Sequence, residues 1–249
     1  MNKLRQDKIK EFIEQQKVVT IKQLQMLFPN VSLMTIHRDL DSLASTGTIV
    51  KFRGGARSVH HAGDPEFNVR MRENNPGKIA IAKKALGLIQ PHTSIFLDAS
   101  TTNLALARIL PDMNLNIFTT GPSIALELCR LHNPVVTLCC GTINRKNLAV
   151  SGQNTLEMLD KINIDMAFIG VSGCSVDAGF TCGTEGDMLV KRLVINKART
   201  SVLMCGSEKF SSLMPYTFAS LSDVDYLITD GDAPENFAQA AKAAEVTVL

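Results

Sequence analysis

Apolar positions recur at helical spacing three times within the first 57 residues. Leu4, Ile9, Phe12 and Ile13 place apolar groups on one side of a first helix, with Lys3, Lys8 and Lys10 elsewhere on its surface. Ile21, Leu24, Leu27 and Phe28 mark a second, which Thr20 and Gln23 can open as a capping box. Pro29-Asn30 stops it, because proline carries no N–H and restricts the residue before it. Ser32 can then cap a third helix by accepting a hydrogen bond from an N–H two or three residues on. That helix buries Leu33, Ile36, Leu40 and Leu43 and turns Met34, Thr35, His37, Arg38 and Asp41 outward. Gly47 is a natural left-handed stop for it.

The pattern then switches period. Thr48-Ile-Val-Lys-Phe-Arg53 is β-branched and alternating, Gly54-Gly55 permits a tight reversal, and Ala56-Arg-Ser-Val59 can return as a partner strand. Two short helices joined by a tight turn can set the second into the major groove of DNA, and the basic hairpin makes the whole a winged helix-turn-helix. The residues predicted to contact DNA are Thr20, Ser32, Met34, Thr35, His37 and Arg38 from the helices, with Lys51, Arg53 and Arg57 on the wing. The wing cations are placed to meet phosphates, which supply affinity without reading sequence. Arg38 can alternatively pair with Asp39 or Asp41. Asp39 would repel phosphates, so an intradomain ion pair is the role expected of it.

Residues 58–77 contain His60-His61, Gly63-Asp-Pro65 and Asn74-Asn-Pro-Gly77 without sustained periodicity, and read as a linker and lead-in. Beyond them helix and strand patterns alternate. Helices are predicted over residues 78–90, 101–110, 122–131, 184–198 and 234–243. Strands are predicted over 94–98, 115–120, 135–140, 165–171, 200–204, 226–229 and 246–249. Such alternation means a mostly parallel sheet covered on both faces. The expected fold class is therefore α/β: an N-terminal winged helix-turn-helix (1–57), a linker (58–77) and a doubly wound, mostly parallel α/β domain (78–249).

Ligands of such sheets sit beyond the carboxyl ends of the strands. Three ends carry suitable chemistry: Asp98-Ala-Ser-Thr-Thr102, Thr119-Thr-Gly-Pro-Ser123 and Gly170-Val-Ser-Gly173. Hydroxyls beside the free N–H groups of a helix start make an anion cradle. None of the three is a G-x-G-x-x-G or P-loop sequence, so nucleotide binding is not indicated.

Composition narrows the class. A length of 249 residues suits a small domain plus a larger one, and 45% apolar residues suffice for a sizeable core. No apolar run approaches the roughly 18–20 residues of a membrane span, and the charged N-terminus is unlike a secretory signal. A soluble cytoplasmic protein without membrane attachment is expected. Six cysteines fall in no C-x-x-C arrangement, so they are read as reduced structural thiols, with no metal and no cofactor. Residues 1–57 hold ten Lys/Arg against five Asp/Glu, and residues 58–249 sixteen against nineteen. A basic front on a mildly acidic body fits nucleic-acid contact by the front alone.

Ser32-Leu-Met-Thr-Ile-His-Arg-Asp-Leu40, with Leu43, Gly47 and Gly54-Gly55-Ala56, resembles the DNA-binding end of the DeoR family of bacterial transcription regulators. The resemblance continues through Asp98-Ala-Ser-Thr-Thr102, Cys140-Gly141, Asp165-Met-Ala-Phe-Ile-Gly170, Gly173 and Gly179-Phe-Thr181. It then takes in Glu185, Lys191, Lys209-Phe210 and Leu227-Ile-Thr-Asp230, so it covers nearly the whole chain. It implies a sensor domain of ribose-5-phosphate isomerase fold that binds a phosphorylated sugar or related metabolite. The residues so implicated are Asp98, Ser100, Thr101, Thr102, Thr120, Ser123, Gly141, Gly170, Gly173, Glu185 and Lys209. Four positions, His37, Ser100, Gly206 and Glu208, depart from the family pattern. His37 stands where the family usually has arginine, and Ser100 where it usually has glycine. Gly206-Ser-Glu-Lys-Phe210 replaces the usual Asp-x-Ser-Lys-Phe; Lys209 can accordingly pair with a phosphate, a carboxylate or Glu208. The resemblance implies a repressor of carbohydrate-metabolism genes, acting as a homo-oligomer (dimer or tetramer) on a double-stranded DNA operator. No catalytic residue is assigned, because the central strand is followed by Val171-Ser172-Gly173 where an isomerase carries acidic residues. The alternative is an isomerase-like enzyme with an accessory DNA-binding arm.

Overall fold

In the first unit of the chain, Met1–Gly63, the three predicted helices form, and each has one stripe residue that escapes burial. The computed structural model describes residues 2–16, 18–45, 48–52, 54–58, 67–210 and 212–249. Helices α1 (Asn2–Gln16), α2 (Ile21–Leu27) and α3 (Leu33–Ser45) enclose a core of Ile9, Ile13, Leu24, Ile36, Leu40 and Leu43. Leu4, Leu27 and Leu33, all on the predicted apolar stripes, are exposed. All three lie at helix ends, past the packed middle, and Leu27 falls about 240° round the helix from Ile21. The capping box is present: the Gln23 N–H donates to Thr20 Oγ1 (3.2 Å) and the Thr20 N–H to Gln23 Oε1 (2.8 Å). The Thr35 N–H donates to Ser32 Oγ (3.2 Å), which caps α3.

The predicted hairpin, β2 (Ile49–Phe52) with β3 (Gly55–Ser58), gains a third antiparallel strand, β1 (Val18–Thr20), on the far side of β3. Three residues are too few to display a period of two, so the sequence did not announce this strand. Gly54 turns the hairpin at φ +98°, a region that disfavours side chains, and its carbonyl accepts the Ile21 N–H (2.8 Å). The wing root is thereby fastened to the start of α2. Gly47 lies outside the described residues. Asp39 is buried and ion-paired as expected, but its partner is Arg5 on α1 (2.5 Å) rather than Arg38, with Gln6 Nε2 donating to its other oxygen (3.1 Å).

The second unit, Asp64–Leu249, begins where a linker was predicted, and part of that segment is helical. Helix α4 (Phe67–Arg72) seats Phe67 in a core, and α5 (Asn75–Leu86) starts at the Asn-Pro-Gly sequence instead of after it. Six residues give α4 too little length to show a period, and Pro76 suits the first turn of a helix, where its missing N–H has no intrahelical bond to make. The chain then runs through β4 (Ser94–Leu97), α6 (Thr101–Ile109), β5 (Asn116–Thr119), α7 (Pro122–Leu128) and β6 (Val135–Leu138). An excursion follows: β7 (Thr142–Asn144), β8 (Ala149–Ser151) and α8 (Gln153–Asp160). The chain returns through β9 (Met166–Gly170), β10 (Gly173–Ser175), β11 (Gly179–Cys182), α9 (Glu185–Lys197) and β12 (Thr200–Met204). It ends with β13 (Tyr216–Ala219), β14 (Tyr226–Ile228), α10 (Glu235–Ala243) and β15 (Thr247–Val248).

Seven strands form a parallel sheet in the order β15-β14-β12-β9-β4-β5-β6. Alternate side chains feed opposite cores, as a period of two requires. Ile95, Leu97, Phe168, Val202 and Ile228 pack with α4, α5, α6 and α7, while Phe96, Ala167, Ile169, Leu203 and Leu227 pack with α8, α9 and α10. The antiparallel parts, the β7–β8 hairpin and the β10-β11-β13 sheet, carry no long apolar run and were not foreseen. From β4 the chain winds outward one way through β5 and β6, then resumes on the other side at β9. The winding therefore reverses between β4 and β9, and the strand ends diverge there into a crevice.

Burial separates the two kinds of stripe residue in α3. Ile36→Ala is expected to destabilise the first unit by about 2–5 kcal/mol, and Leu33→Ala by less than about 0.5 kcal/mol, measured by urea denaturation. Equal losses would contradict the packing described.

Candidate functional site

The outward face of α3 presents a coherent set. Met34 and Arg38 are exposed, Thr35 and His37 half-exposed, and Ser32 Oγ lies 2.9 Å from Thr35 Oγ1 at the helix entrance. Thr20 is exposed at the start of α2. Such a face, free of apolar packing and opposite Ile36 and Leu40, is what a major groove can receive. On the wing, the Lys51 ammonium meets Asp41 of α3 at 2.5 Å, so this cation is spoken for internally and must leave Asp41 to reach a phosphate. Arg57 stands in β3 between Val50 and Val18. Arg53 lies outside the described residues.

The crevice between β4 and β9 holds the other predicted chemistry. Asp98, at the end of β4, is 2% exposed and saturated with donors. Its Oδ1 accepts the Ser100 N–H (3.0 Å) and Asn103 Nδ2 (2.8 Å), and its Oδ2 accepts the Gly170 N–H (2.9 Å). Lys191 of α9 completes the node, with Nζ 3.0 Å from Asp98 Oδ2, 3.2 Å from Asp187 Oδ2 and 2.6 Å from the Gly170 carbonyl oxygen. Burial drives the Lys191 pKa down, but Asp187 and Asp98 more than offset it, so the ammonium is held above its ordinary range. Gly170 is fixed by space: a Cβ there would meet Ser100 Cβ at 2.3 Å.

Above this floor, Ser100 caps α6 by accepting the Asn103 N–H (3.1 Å), and Thr101 and Thr102 form the first turn, whose N–H groups have no intrahelical partner. The opposite rim joins the segment of the predicted Lys209 to the stretch read as a linker and the start of α5. Arg70, Glu73, Asn74 and Lys78 face Gly206, Glu208 and Lys209, with Asn147, Ala149 and Ser172 closing the sides. Lys78 is buried, and its ammonium donates to the carbonyls of Arg70 and Glu73 at the end of α4. Burial first, then the neighbouring Lys209, push its pKa down to about 8, although Glu208 and Glu73 pull it upward. Glu208 is itself engaged, by Asn74 Nδ2 (3.0 Å) and by Lys209 (3.7 Å).

Of the eleven predicted ligand residues, six line this cleft: Asp98, Ser100, Thr101, Thr102, Gly170 and Lys209. Five lie off it. Thr120 is buried and binds β8 through its carbonyl (Val150 N–H, 2.8 Å), and Ser123 is in the first turn of α7, beyond the neighbouring strand. Gly141 turns the chain after β6, Gly173 begins β10, and Glu185 is exposed at the start of α9. The strand end that carries Thr120 and Ser123 resembles that of β4 locally, and only the sheet order sets it off the cleft. Arg70, Lys78, Asp187 and Lys191 were missed as cleft residues. Lys191 carried a signal, since a lysine among the apolar positions of a helix must be paired; Arg70 and Lys78 carried none. Cys139, Cys174, Cys182 and Cys205 are buried thiols as expected, whereas Cys129 and Cys140 are exposed. No helix among the described residues is long and apolar enough to cross a membrane.

A helix-turn-helix unit joined to a doubly wound α/β unit with a polar cleft at its switch point defines a DNA-binding transcriptional regulator. The chain belongs to the DeoR family: residues 5–62 match its DeoR-like helix-turn-helix domain and residues 73–231 its DeoR C terminal sensor domain. It is 34% identical over 243 residues to the HTH-type transcriptional regulator YgbI of Escherichia coli (strain K12), covering 97% of this chain and 94% of that one. It is 30% identical to the HTH-type transcriptional repressor GlcR of Bacillus subtilis (strain 168), covering 89% and 86%. Ribose 5-phosphate isomerase A from Methanocaldococcus jannaschii superposes with a TM-score of 0.41 at 17% identity over 55% of each chain. The relatives are regulators rather than enzymes, and the isomerase alternative is not favoured.

Lys191 is the counter-charge of two carboxylates in a buried place. Lys191→Met is expected to destabilise the second unit by about 3–5 kcal/mol, because it strands Asp98 without a cation; urea denaturation measures it, and a loss under about 1 kcal/mol would show that the node is not needed.

Proposed function

We propose that the chain is a cytoplasmic repressor of carbohydrate-metabolism genes whose grip on DNA is set by a phosphorylated sugar or related metabolite held in the β4–β9 cleft. The observation that carries this reading is the cation cluster Arg70, Lys78 and Lys209 facing the open first turn of α6. A buried lysine pushed down to about 8 by burial and a like charge is a group that gains from a bound anion. Sugar hydroxyls find acceptors and donors in Thr101, Thr102, Asn147 and Ser172. Asp98 is fully occupied within the protein and shapes the floor.

DNA is read by Met34, Thr35, His37 and Arg38, and the basic wing meets phosphates. Residues 1–57 act as the DNA-binding domain, 58–77 as the connection and 78–249 as the sensor. Two or more copies act together, since helix-turn-helix proteins bind paired half-sites. The metabolite shifts the population between DNA-competent and released forms through its different affinity for the two.

A gel shift of the full chain on its own promoter region, with and without a panel of sugar phosphates, tests the reading. Release of DNA by one of them supports it; turnover of a sugar phosphate with no DNA binding would sink it. Arg38→Ala is expected to weaken DNA binding by about 1–3 kcal/mol without changing metabolite affinity; loss of both would contradict the modular scheme. The pH dependence has a definite sign. Anion binding favours the protonated Lys78, so metabolite affinity is expected to fall as pH rises through about 8, the window set by its depressed pKa. Titration calorimetry at pH 7 and pH 9 checks this, and Lys78→Met should flatten the dependence.

A further inference from the structure

Strand β6 ends the seven-stranded sheet, and its outer edge is open. The N–H groups of Val135 and Cys139 bond the β5 side, to the Leu115 and Thr119 carbonyls (2.9 and 2.8 Å). By alternation, the N–H and C=O of Val136 and Leu138 point away from the sheet. No further strand pairs with them among the described residues. Exposed edges are ordinarily blunted with charge. Here the ten residues Pro134-Val-Val-Thr-Leu-Cys-Cys-Gly-Thr-Ile143 contain no Asp, Glu, Lys or Arg. Val135 is 63% exposed, Leu138 43%, and Leu126 on the helix packed against this strand 76%. Glu127, beside Leu126 on that helix, pairs with Arg108 and Arg130. At the opposite edge, β15 offers two residues.

We infer that β6 is the strand through which two copies of this chain pair, antiparallel about a two-fold axis passing at Thr137. Registers that pair even-numbered positions with even-numbered ones set outward groups against outward groups, and the one centred on Thr137 engages both outward residues of the strand in each copy: Val136 opposite Leu138 of the other copy, Leu138 opposite Val136, and Thr137 opposite itself. The pattern is self-complementary, as a two-fold interface requires. Each apolar outward residue then meets an apolar partner, and the two sheets become one continuous sheet. A second copy is the occupant because the pattern matches itself and because the DNA-reading unit calls for paired half-sites. The inference thus rests on the proposed paired action on DNA and adds the face that makes it.

The test uses the full chain with Cys129→Ser and Cys140→Ser, which removes the exposed thiols. Thr137 and its symmetry mate form a non-hydrogen-bonded pair with Cα atoms about 4.5 Å apart, inside the range a disulfide spans. Thr137→Cys is therefore expected to give a covalent dimer under copper-catalysed air oxidation. Leu138→Cys is not, since its symmetry mate lies about two residues further along, out of reach. Sedimentation should show a dimer for the parent protein and at least a tenfold weaker one for Leu138→Asp, with a circular dichroism melt confirming that this variant is folded. A parent dimer that resists Leu138→Asp, or that fails to cross-link through Thr137→Cys, overturns this face and leaves paired action intact. A monomeric parent overturns both.

Discussion

The Asp98–Lys191 contact joins every part of the cleft that the sheet alone would leave apart. Asp98 ends β4, Gly170 ends β9, Asn103 belongs to α6 and Lys191 to α9, and all four meet on one carboxylate. A carboxylate and an ammonium this deeply buried persist only when each is fully partnered. Asp98 and Lys191 satisfy that condition across both faces of the sheet, since α6 packs on one and α9 on the other. The pair therefore pins the switch point of the sheet, and with it the spacing between the α6 first turn and the opposing rim.

The rim is a different kind of construction. Its cations come from α4, α5 and the segment after β12; Lys78 is depressed by burial and by Lys209, while Glu208 is shared between Lys209 and Asn74. The floor is thus held by a closed set of partners, whereas the rim shares its carboxylate among several. Glu208 belongs to the segment in which this chain departs from its family's usual sequence, and it lines the cleft.

The first unit shows the same economy at smaller scale. One ion pair, Asp39 with Arg5, fastens α3 to α1 from the side opposite its reading face. The exposed face keeps Thr35, His37 and Arg38 clear of the core. His37 stands half-exposed on that face, a hydrogen-bonding ring where the family pattern usually has arginine.

The sequence by itself determined the elements and their class. Caps such as Thr20 and Ser32 are satisfied within three residues, and stripes such as Ile36-Leu40-Leu43 or the alternation in β4 are local consequences of helical and strand periods. Family motifs likewise identified the loop after β4, because its chemistry is contiguous. What is not contiguous was decided only in three dimensions. Three strand ends looked equivalent along the chain, and the order β9-β4-β5 set two of them, those of β4 and β9, beside the reversal, leaving Thr120 and Ser123 aside. Arg70 and Lys78 joined the cleft because α4 and α5 pack back over the sheet, a contact with no signature in their own neighbours. The open edge of β6 is of the same sort: the run over 135–140 reads as one strand of a covered sheet until strand order makes it the last. Short-range hydrogen bonds and periodicity write themselves into neighbouring residues, whereas the order of strands follows from packing across the whole sheet, and the cleft is a product of that order.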